Sequence, residues 1–462
     1  MSREVSPNPG SRRGRATRRG VERSDSFTVL TFLFPGQGSQ KQEMGDAWTT
    51  HPSWEIVQLV SNSTSIDVGS LLVDADQATL TETNNAQLAT FTMSMIVLDA
   101  LTRIGLAPSM VAGHSLGEYS ALVAAGVLGV DDGARLVAAR GNAMRQAADA
   151  QDATMWAVLG LDDELVQAAC AEADGDVWVA NYNSPGQVII AGAPDALQRA
   201  GDAAKARGAK RAMPIPVGGA FHTPLMAPAL PALAAALEAT EFRDNELGIV
   251  TNVDAIYRGP ASGSDWRALL AAQLQSPVMW RQSCAALADA GATLFVEVGP
   301  GNVLGALAKR CTPETPALSV ATPADLHQFI EDVTHHRLTM TNPSSPSVEA
   351  TTHHKITVSP ATTKDSVVTT SNSTNATAAP HGEPLFMTER LIVSPAAGLF
   401  EPHSISVDSE SAGEIHVGSV LGVVAGTEVR SPFRGQLMGM LAMPGERVTV
   451  GQPIAWLRTA SL

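Results

Sequence analysis

Gly113-His114-Ser115-Leu116-Gly117 has the form G-x-S-x-G. A short apolar run of strand type, Pro108 to Ala112, precedes it, and a stretch rich in helix formers, Glu118 to Ala125, follows. Strand, sharp turn and helix in that order lift a serine hydroxyl clear of the backbone. They also leave the next amide, Leu116 N–H, free to stabilise an oxyanion. The pattern therefore predicts a nucleophile, Ser115. Alone it is weak, because a chain with 39 glycines produces it by chance.

A serine nucleophile needs a base, a second oxyanion donor and a group that holds the substrate. Phe34-Pro35-Gly36-Gln37-Gly38-Ser39-Gln40 follows the first strand, and its glycines let backbone approach a ligand closely. Gln37 N–H is the candidate second donor. His222 sits on a loop, Gly218-Gly219-Ala220-Phe221-His222, and is the candidate base. His114 is a poorer one, since it adjoins Ser115 and its side chain should point elsewhere. Arg140 falls in a helical segment, Ala134 to Gln146, and a buried arginine beside an acyl site makes a two-pronged clamp for a carboxylate. Each residue singly has a plainer reading: a helix cap for Ser115, a salt-bridged arginine, a turn histidine, a loop glutamine.

The elements that must position these groups read as α/β. From Phe27 to about residue 322 strand-like and helix-like segments alternate. Inside that stretch, about 154–217, the order is βαββαβ, a ferredoxin-like insert. Its strands are Met155–Val158, Val177–Ala180, Val188–Ile190 and Arg211–Val217, and its helices Asp163–Ala173 and Ala196–Ala206. Asn183-Ser184-Pro185-Gly186 is its hairpin turn. Residues 1–26, with six arginines between Arg12 and Arg23, read as a disordered basic tail. Residues 323–385 read as a short helix to His335 and then a mostly disordered Thr/Ser/Pro/Asn linker. The pairs His335-His336 and His353-His354 lack further ligand types, so no metal is expected.

Composition narrows the function classes. With 462 residues, 44% apolar and 17% charged, the chain has material for more than one core. A net charge of −15 speaks against nucleic acid or an anionic membrane as partner. Three cysteines without paired spacing fit a reducing, cytoplasmic compartment, and no apolar run is long enough to span a bilayer.

Taken together, the motifs resemble the malonyl-CoA:acyl-carrier-protein transacylase family. The resemblance rests on the three motifs around Gln37, Ser115 and His222. It rests also on Asn181-Tyr182-Asn183-Ser184-Pro185-Gly186-Gln187-Val188, Asn252-Val253-Asp254-Ala255 and Glu297-Val298-Gly299-Pro300-Gly301, all in order over roughly Phe27 to Val320. It implies an α/β-hydrolase-like large subdomain carrying the ferredoxin-like small one, with 27–322 as the catalytic domain. It implies that Ser115 takes malonyl from malonyl-CoA, with His222 as base, and passes it to the phosphopantetheine thiol of an acyl carrier protein. Gln37 and Leu116 would form the oxyanion hole. Arg140 would hold the malonyl carboxylate, with Phe221, Asn183 and Gln273 in the substrate-binding set. The backbone carbonyl that orients the histidine in this family would belong to Gln273. Phe221 beside the acyl α-carbon resembles malonyl-selective members; a branched malonyl donor is the alternative, as is a carrier-protein thioester hydrolase. A non-enzymatic assembly scaffold is a third reading, against which the four intact residues speak.

From Phe386 short strands return, with an internal repeat: Ser394-Pro395-Ala396-Ala397-Gly398 matches Ser431-Pro432-Phe433-Arg434-Gly435, and a Gly413–Gly418 stretch matches Gly445–Gly451. Residues 386–462 resemble the biotinyl/lipoyl carrier domain, an all-β flattened barrel of two halves. Carriers of that family present a lysine on the joining hairpin, here Val423 to Val429, yet residues 386–462 contain none. No biotin or lipoate can be amide-linked there, no other cofactor is called for, and the expected role is docking to a partner or spacing. A basic cluster, Lys205, Arg207, Lys210 and Arg211, is the expected dock for an acidic carrier protein.

Overall fold

The computed structural model describes residues 29–335, 389–403, 414–415, 418–431, 433, 435–448 and 452–458. The expected basic tail, residues 336–385 of the expected linker, and His336, His353 and His354 lie outside the described residues.

Strand β1 (Leu30–Phe34) is buried along its whole length, as is β2 (Met110–Gly113). Strands apolar on both faces need cover on both, and these lie inside a parallel sheet. Between them runs the helix Thr83–Arg103, whose Gln87, Thr90, Thr92 and Ser94 are buried with its apolar residues. Two helices follow β2, Gly117–Ala124 and Val130–Asp149.

Next come β3 (Thr154–Leu159), the helix Asp163–Glu172, β4 (Val177–Ser184), β5 (Gln187–Gly192), the helix Pro194–Ala206 and β6 (Arg211–Pro214). They form a separate antiparallel sheet, β4-β5-β3-β6, over a core that includes Val158, Val166, Val188, Ile190 and Leu197. β4 runs to Ser184, beyond the expected strand end, so the hairpin turn shrinks to Pro185-Gly186. Two register shifts keep it paired with β5, while Tyr182 N–H bonds the Val278 carbonyl of the main body at 2.9 Å.

The chain then completes the main sheet with β7 (Gly248–Val250), β8 (Tyr257–Arg258), β9 (Leu294–Val298) and β10 (Ala317–Val320). The order is β10-β9-β1-β2-β7-β8, parallel except for the edge strand β8. Phe34 pairs with Gly113, so the loops leaving β1 and β2 start side by side. That adjacency brings Gln37 towards Ser115. The helix Pro323–His335 follows β10.

The C-terminal strands are β11 (Glu389–Val393), β12 (Gly398–Pro402), β13 (Glu414–Ile415), β14 (Val420–Val424), β15 (Thr427–Arg430), β16 (Gly435–Met440), β17 (Arg447–Val448) and β18 (Pro453–Arg458). They make two sheets, β11-β18-β16-β13 and β15-β14-β12-β17, which the internal repeat maps onto one another. Each half opens alike: buried Ser394 donates its hydroxyl to the Ala396 carbonyl at 2.7 Å, and buried Ser431 to that of Phe433 at 2.8 Å. The expected barrel is not closed among the described residues. The described strands give the two sheets no ladder in common.

Candidate active site

The elbow is built by close approach. A Cβ on Gly113 would lie 1.9 Å from the Gly117 carbonyl carbon, and one on Gly117 would lie 2.0 Å from the Phe34 carbonyl oxygen. Both glycines of G-x-S-x-G are thus required by contact with neighbouring backbone. Ser115 itself has φ 53°, the left-handed region, which costs a non-glycine residue about 1–3 kcal/mol. Asn252 offsets that cost. Its Oδ1 accepts from Ser115 N–H at 2.6 Å, and its Nδ2 donates to the Gly113 carbonyl at 2.6 Å.

His222 is buried, with φ 61°, and its Nε2 lies 2.7 Å from Ser115 Oγ. Its Nδ1 lies 2.9 Å from the carbonyl oxygen of Gln273, last residue of the helix Trp266–Gln273. Carbonyls in a final helical turn have no intrahelical donor, so this one is free to accept. It fixes the tautomer: Nδ1 carries the proton and Nε2 is left to take one from serine. Burial, and then the charge of Arg140, push the imidazole down to about 3, so it is neutral at pH 7.

Arg140, on the helix Val130–Asp149, is buried. Nη1 donates to Gln87 Oε1 at 2.7 Å, and Nη2 to Gln273 Oε1 at 3.0 Å and Ser115 Oγ at 3.1 Å. Its Cζ lies 5.5 Å from the Tyr119 ring centroid. None of these partners is a carboxylate. A buried guanidinium with uncharged partners, touching the nucleophile, is suited to receive an anion. Buried Glu118 stands one residue back: Oε2 accepts from Gln273 Nε2 at 2.6 Å and Oε1 from Asn252 N–H at 3.3 Å. Burial pushes its carboxyl up to about 7.

Leu116 N–H lies at the N-terminus of the helix Gly117–Ala124, where amides lack intrahelical partners. Gln37 is half-buried, and the loop it shares with Gly36 packs on the elbow so closely that a Cβ there would lie 2.5 Å from the His114 carbonyl oxygen. Phe221 is buried next to His222. Asn183 Oδ1 lies 2.9 Å from His114 Nε2, which turns that imidazole away from Ser115. Three groups that the sequence reading gave no role now stand in the site: Gln87, Glu118 and Asn252. Asn252 opens the motif Asn252-Val253-Asp254-Ala255 and Glu118 opens the helix-forming stretch after the elbow; Gln87 is embedded in a helix with no local signal. In the basic cluster, Lys205 pairs with Asp202 and Arg207 with Glu172.

A serine with a neutral imidazole at 2.7 Å, a helix-start amide and a buried arginine can perform acyl transfer through a serine ester. Known proteins agree with that chemistry. The family model described as acyl transferase domain matches residues 31–342. A malonyl CoA-acyl carrier protein transacylase of Bacillus subtilis (strain 168) is 37% identical over 310 residues, covering 66% of this chain and 97% of that protein. Its Escherichia coli (strain K12) counterpart is 40% identical over 314 residues, 66% of this chain and 100% of that protein. A malonyl-transacylase solved with a type II PKS acyl-carrier protein superposes with TM-score 0.63 at 38% identity, covering 66% of this chain and 100% of that one.

Proposed function

The chain belongs to the acyl transferase family, among the malonyl CoA-acyl carrier protein transacylases, and from that membership we infer how its site works. It is an acyltransferase that moves malonyl from malonyl-CoA to an acyl carrier protein. Ser115 Oγ attacks the thioester carbonyl as its proton passes to His222 Nε2. The tetrahedral oxyanion is held by Leu116 and Gln37 amides, and Arg140 grips the malonyl carboxylate. Collapse breaks the carbon–sulfur bond, and the CoA thiolate takes the proton back from His222. The phosphopantetheine thiol of the carrier protein then gives its proton to His222 and attacks the malonyl-serine ester. Its collapse returns the proton to Ser115 and releases the malonyl thioester. Every proton is carried by His222, so this chemistry requires no cofactor.

The observation that carries this reading is the contact of Ser115 Oγ with both His222 Nε2, at 2.7 Å, and Arg140 Nη2, at 3.1 Å. A hydrolase of neutral acyl groups has no use for a buried cation against its nucleophile. Among acyl groups we favour unbranched malonyl, because the buried Phe221 ring beside His222 leaves little room for an α-methyl. We place the reaction in polyketide or fatty-acid synthesis, in a reducing cytoplasm that three unpaired cysteines support. Among the described residues no helix is long and apolar enough to cross a membrane.

We read strands β11–β18 as a biotinyl/lipoyl-like module with a docking or spacing role. The repeat supports the likeness, and the β14–β15 hairpin turns at exposed Ala425-Gly426, where a carrier would present lysine. The test of the enzyme is intact-protein mass after brief exposure to malonyl-CoA, methylmalonyl-CoA and acetyl-CoA. A malonyl adduct that vanishes in Ser115→Ala and weakens in Arg140→Ala is expected; an acetyl adduct in its place favours the hydrolase.

A further inference from the structure

Gln273 stands where the two halves of the site meet. Its main-chain carbonyl holds His222, while its side-chain Oε1 accepts from Arg140 Nη2 at 3.0 Å. Its Nε2 donates to Glu118 Oε2 at 2.6 Å and to the Ser115 carbonyl at 2.9 Å. A primary amide can sit in two senses related by a flip. The reversed sense would aim NH2 at the guanidinium donors and Oε1 at a carboxylate and a carbonyl. Glu118 and Gln273 are both buried, so water cannot relieve either mismatch. The Glu118 carboxyl is thus the strongest acceptor that selects the sense in which Oε1 faces Arg140.

We propose that Glu118 is a positioning residue which, through the Gln273 amide, fixes the Arg140 guanidinium and so sets the preference for an anionic acyl group over a neutral one. The proposal rests on the reading of Arg140 as the malonyl clamp. It concerns a hydrogen bond, not a charge pair: Glu118 is separated from Arg140 by the Gln273 amide, and a neutral acceptor at position 118 could serve the same end. Glu118 also accepts from Asn252 N–H, but at 3.3 Å, a far longer contact than the 2.6 Å bond to Gln273. A purely structural role would weaken reaction with every donor alike.

The experiment uses the full chain and follows, by quenched intact mass, the rates of malonyl-serine and acetyl-serine formation from malonyl-CoA and acetyl-CoA. Wild type is compared with Glu118→Ala, Glu118→Gln, Gln273→Ala and the Glu118→Ala/Gln273→Ala pair. Glu118→Ala is expected to lower the malonyl-to-acetyl ratio about tenfold or more, and Glu118→Gln, which keeps an acceptor, to hold it within about threefold. The pair should be no worse than the poorer single variant, because both act through one amide. Equal slowing with both donors, a Glu118→Gln as unselective as Glu118→Ala, or additive losses in the pair would each overturn the proposal. If Glu118→Ala does not fold, the decision falls to the other two: Gln273→Ala, which keeps the carbonyl that holds His222, must lose selectivity while Glu118→Gln keeps it. Wild type that is folded yet forms no malonyl-serine would overturn the clamp reading itself, an outcome distinct from a ratio insensitive to position 118.

Discussion

His222 Nδ1 is held 2.9 Å from the main-chain carbonyl of Gln273, at the C-terminal end of a helix. The negative end of that helix dipole favours the imidazolium formed when Ser115 gives up its proton. A carboxylate in the same place would do so more strongly, but it would sit beside Arg140 and compete for the clamp. A carbonyl orients the base without adding an anion beside Arg140, the proposed clamp for the acyl carboxylate.

The pH profile should reflect this setting. An imidazole at its ordinary 6.5 loses about tenfold of its base form between pH 7.5 and 5.5. Here burial and Arg140 push His222 down to about 3, so the base form persists across that range. Expect kcat/KM for malonyl-CoA, which reports the free enzyme, to change less than about twofold between pH 7.5 and 5.5. Removing the cation in Arg140→Ala should move the acid limb upward. A tenfold fall through pH 6 in wild type would show that His222 titrates normally.

Arg140→Ala tests the clamp directly. On the proposed clamp reading the variant removes a buried, charge-assisted contact to the malonyl carboxylate, worth about 3–5 kcal/mol, or roughly a hundred- to a few thousandfold in kcat/KM for malonyl-CoA. It also strands Gln87 Oε1 and Gln273 Oε1, so a lower melting temperature is expected. Reaction with acetyl-CoA should fall far less. Arg140→Lys should not restore malonyl transfer, because a point charge cannot serve Gln87, Gln273 and a carboxylate in one plane. Parallel losses with both donors would place Arg140 in the scaffold instead.

The candidate nucleophile, the candidate base and both loops proposed for the oxyanion hole are legible because each lies in a short motif with a local reason for its sequence. Gly113 and Gly117 are such a case: contact with backbone demands them. Arg140 lies in a plain helical segment, and only its helix is legible there. Gln87 was not legible. It lies in the helix Thr83–Arg103, buried on all sides, so its burial beside Arg140 is set by tertiary packing with no periodic trace. Asn252 and Glu118 were visible as letters of a motif and of a helix-forming stretch, but their roles depend on bonds to residues more than a hundred positions away. At the C-terminus the repeat predicts two similar halves, and the two described four-stranded sheets follow it strand for strand, while the joining of those sheets into a barrel is not something a repeat encodes.

Gly117→Ala should be destabilising beyond what a surface substitution causes. Its methyl would meet the Phe34 carbonyl oxygen at 2.0 Å, in backbone that cannot rotate away. Overlaps of this kind belong with the changes that cost more than about 4 kcal/mol. Thermal unfolding by circular dichroism should show a fall of about six degrees or more, on the order expected for that loss. A melting temperature within about two degrees of wild type would mean that β1 and the elbow are not packed as described.

Phe221→Ser separates acyl choice from catalysis. Phe221 is buried beside His222, and on the proposed malonyl preference its ring is the bulk that would exclude an α-methyl group. A single methyl is worth about 1–3 kcal/mol of discrimination in such a pocket, so the methylmalonyl-to-malonyl ratio of kcat/KM should rise about ten- to two-hundredfold. The cavity has a cost. Losing a buried aromatic ring destabilises by about 3–5 kcal/mol, so the ratio must be measured well below the variant's melting point. The Ser115, His222 and Gln273 bonds do not pass through the ring, so malonyl transfer should survive, slowed less than about tenfold. An unchanged ratio on folded protein would show that selection against branching lies elsewhere on the pocket wall.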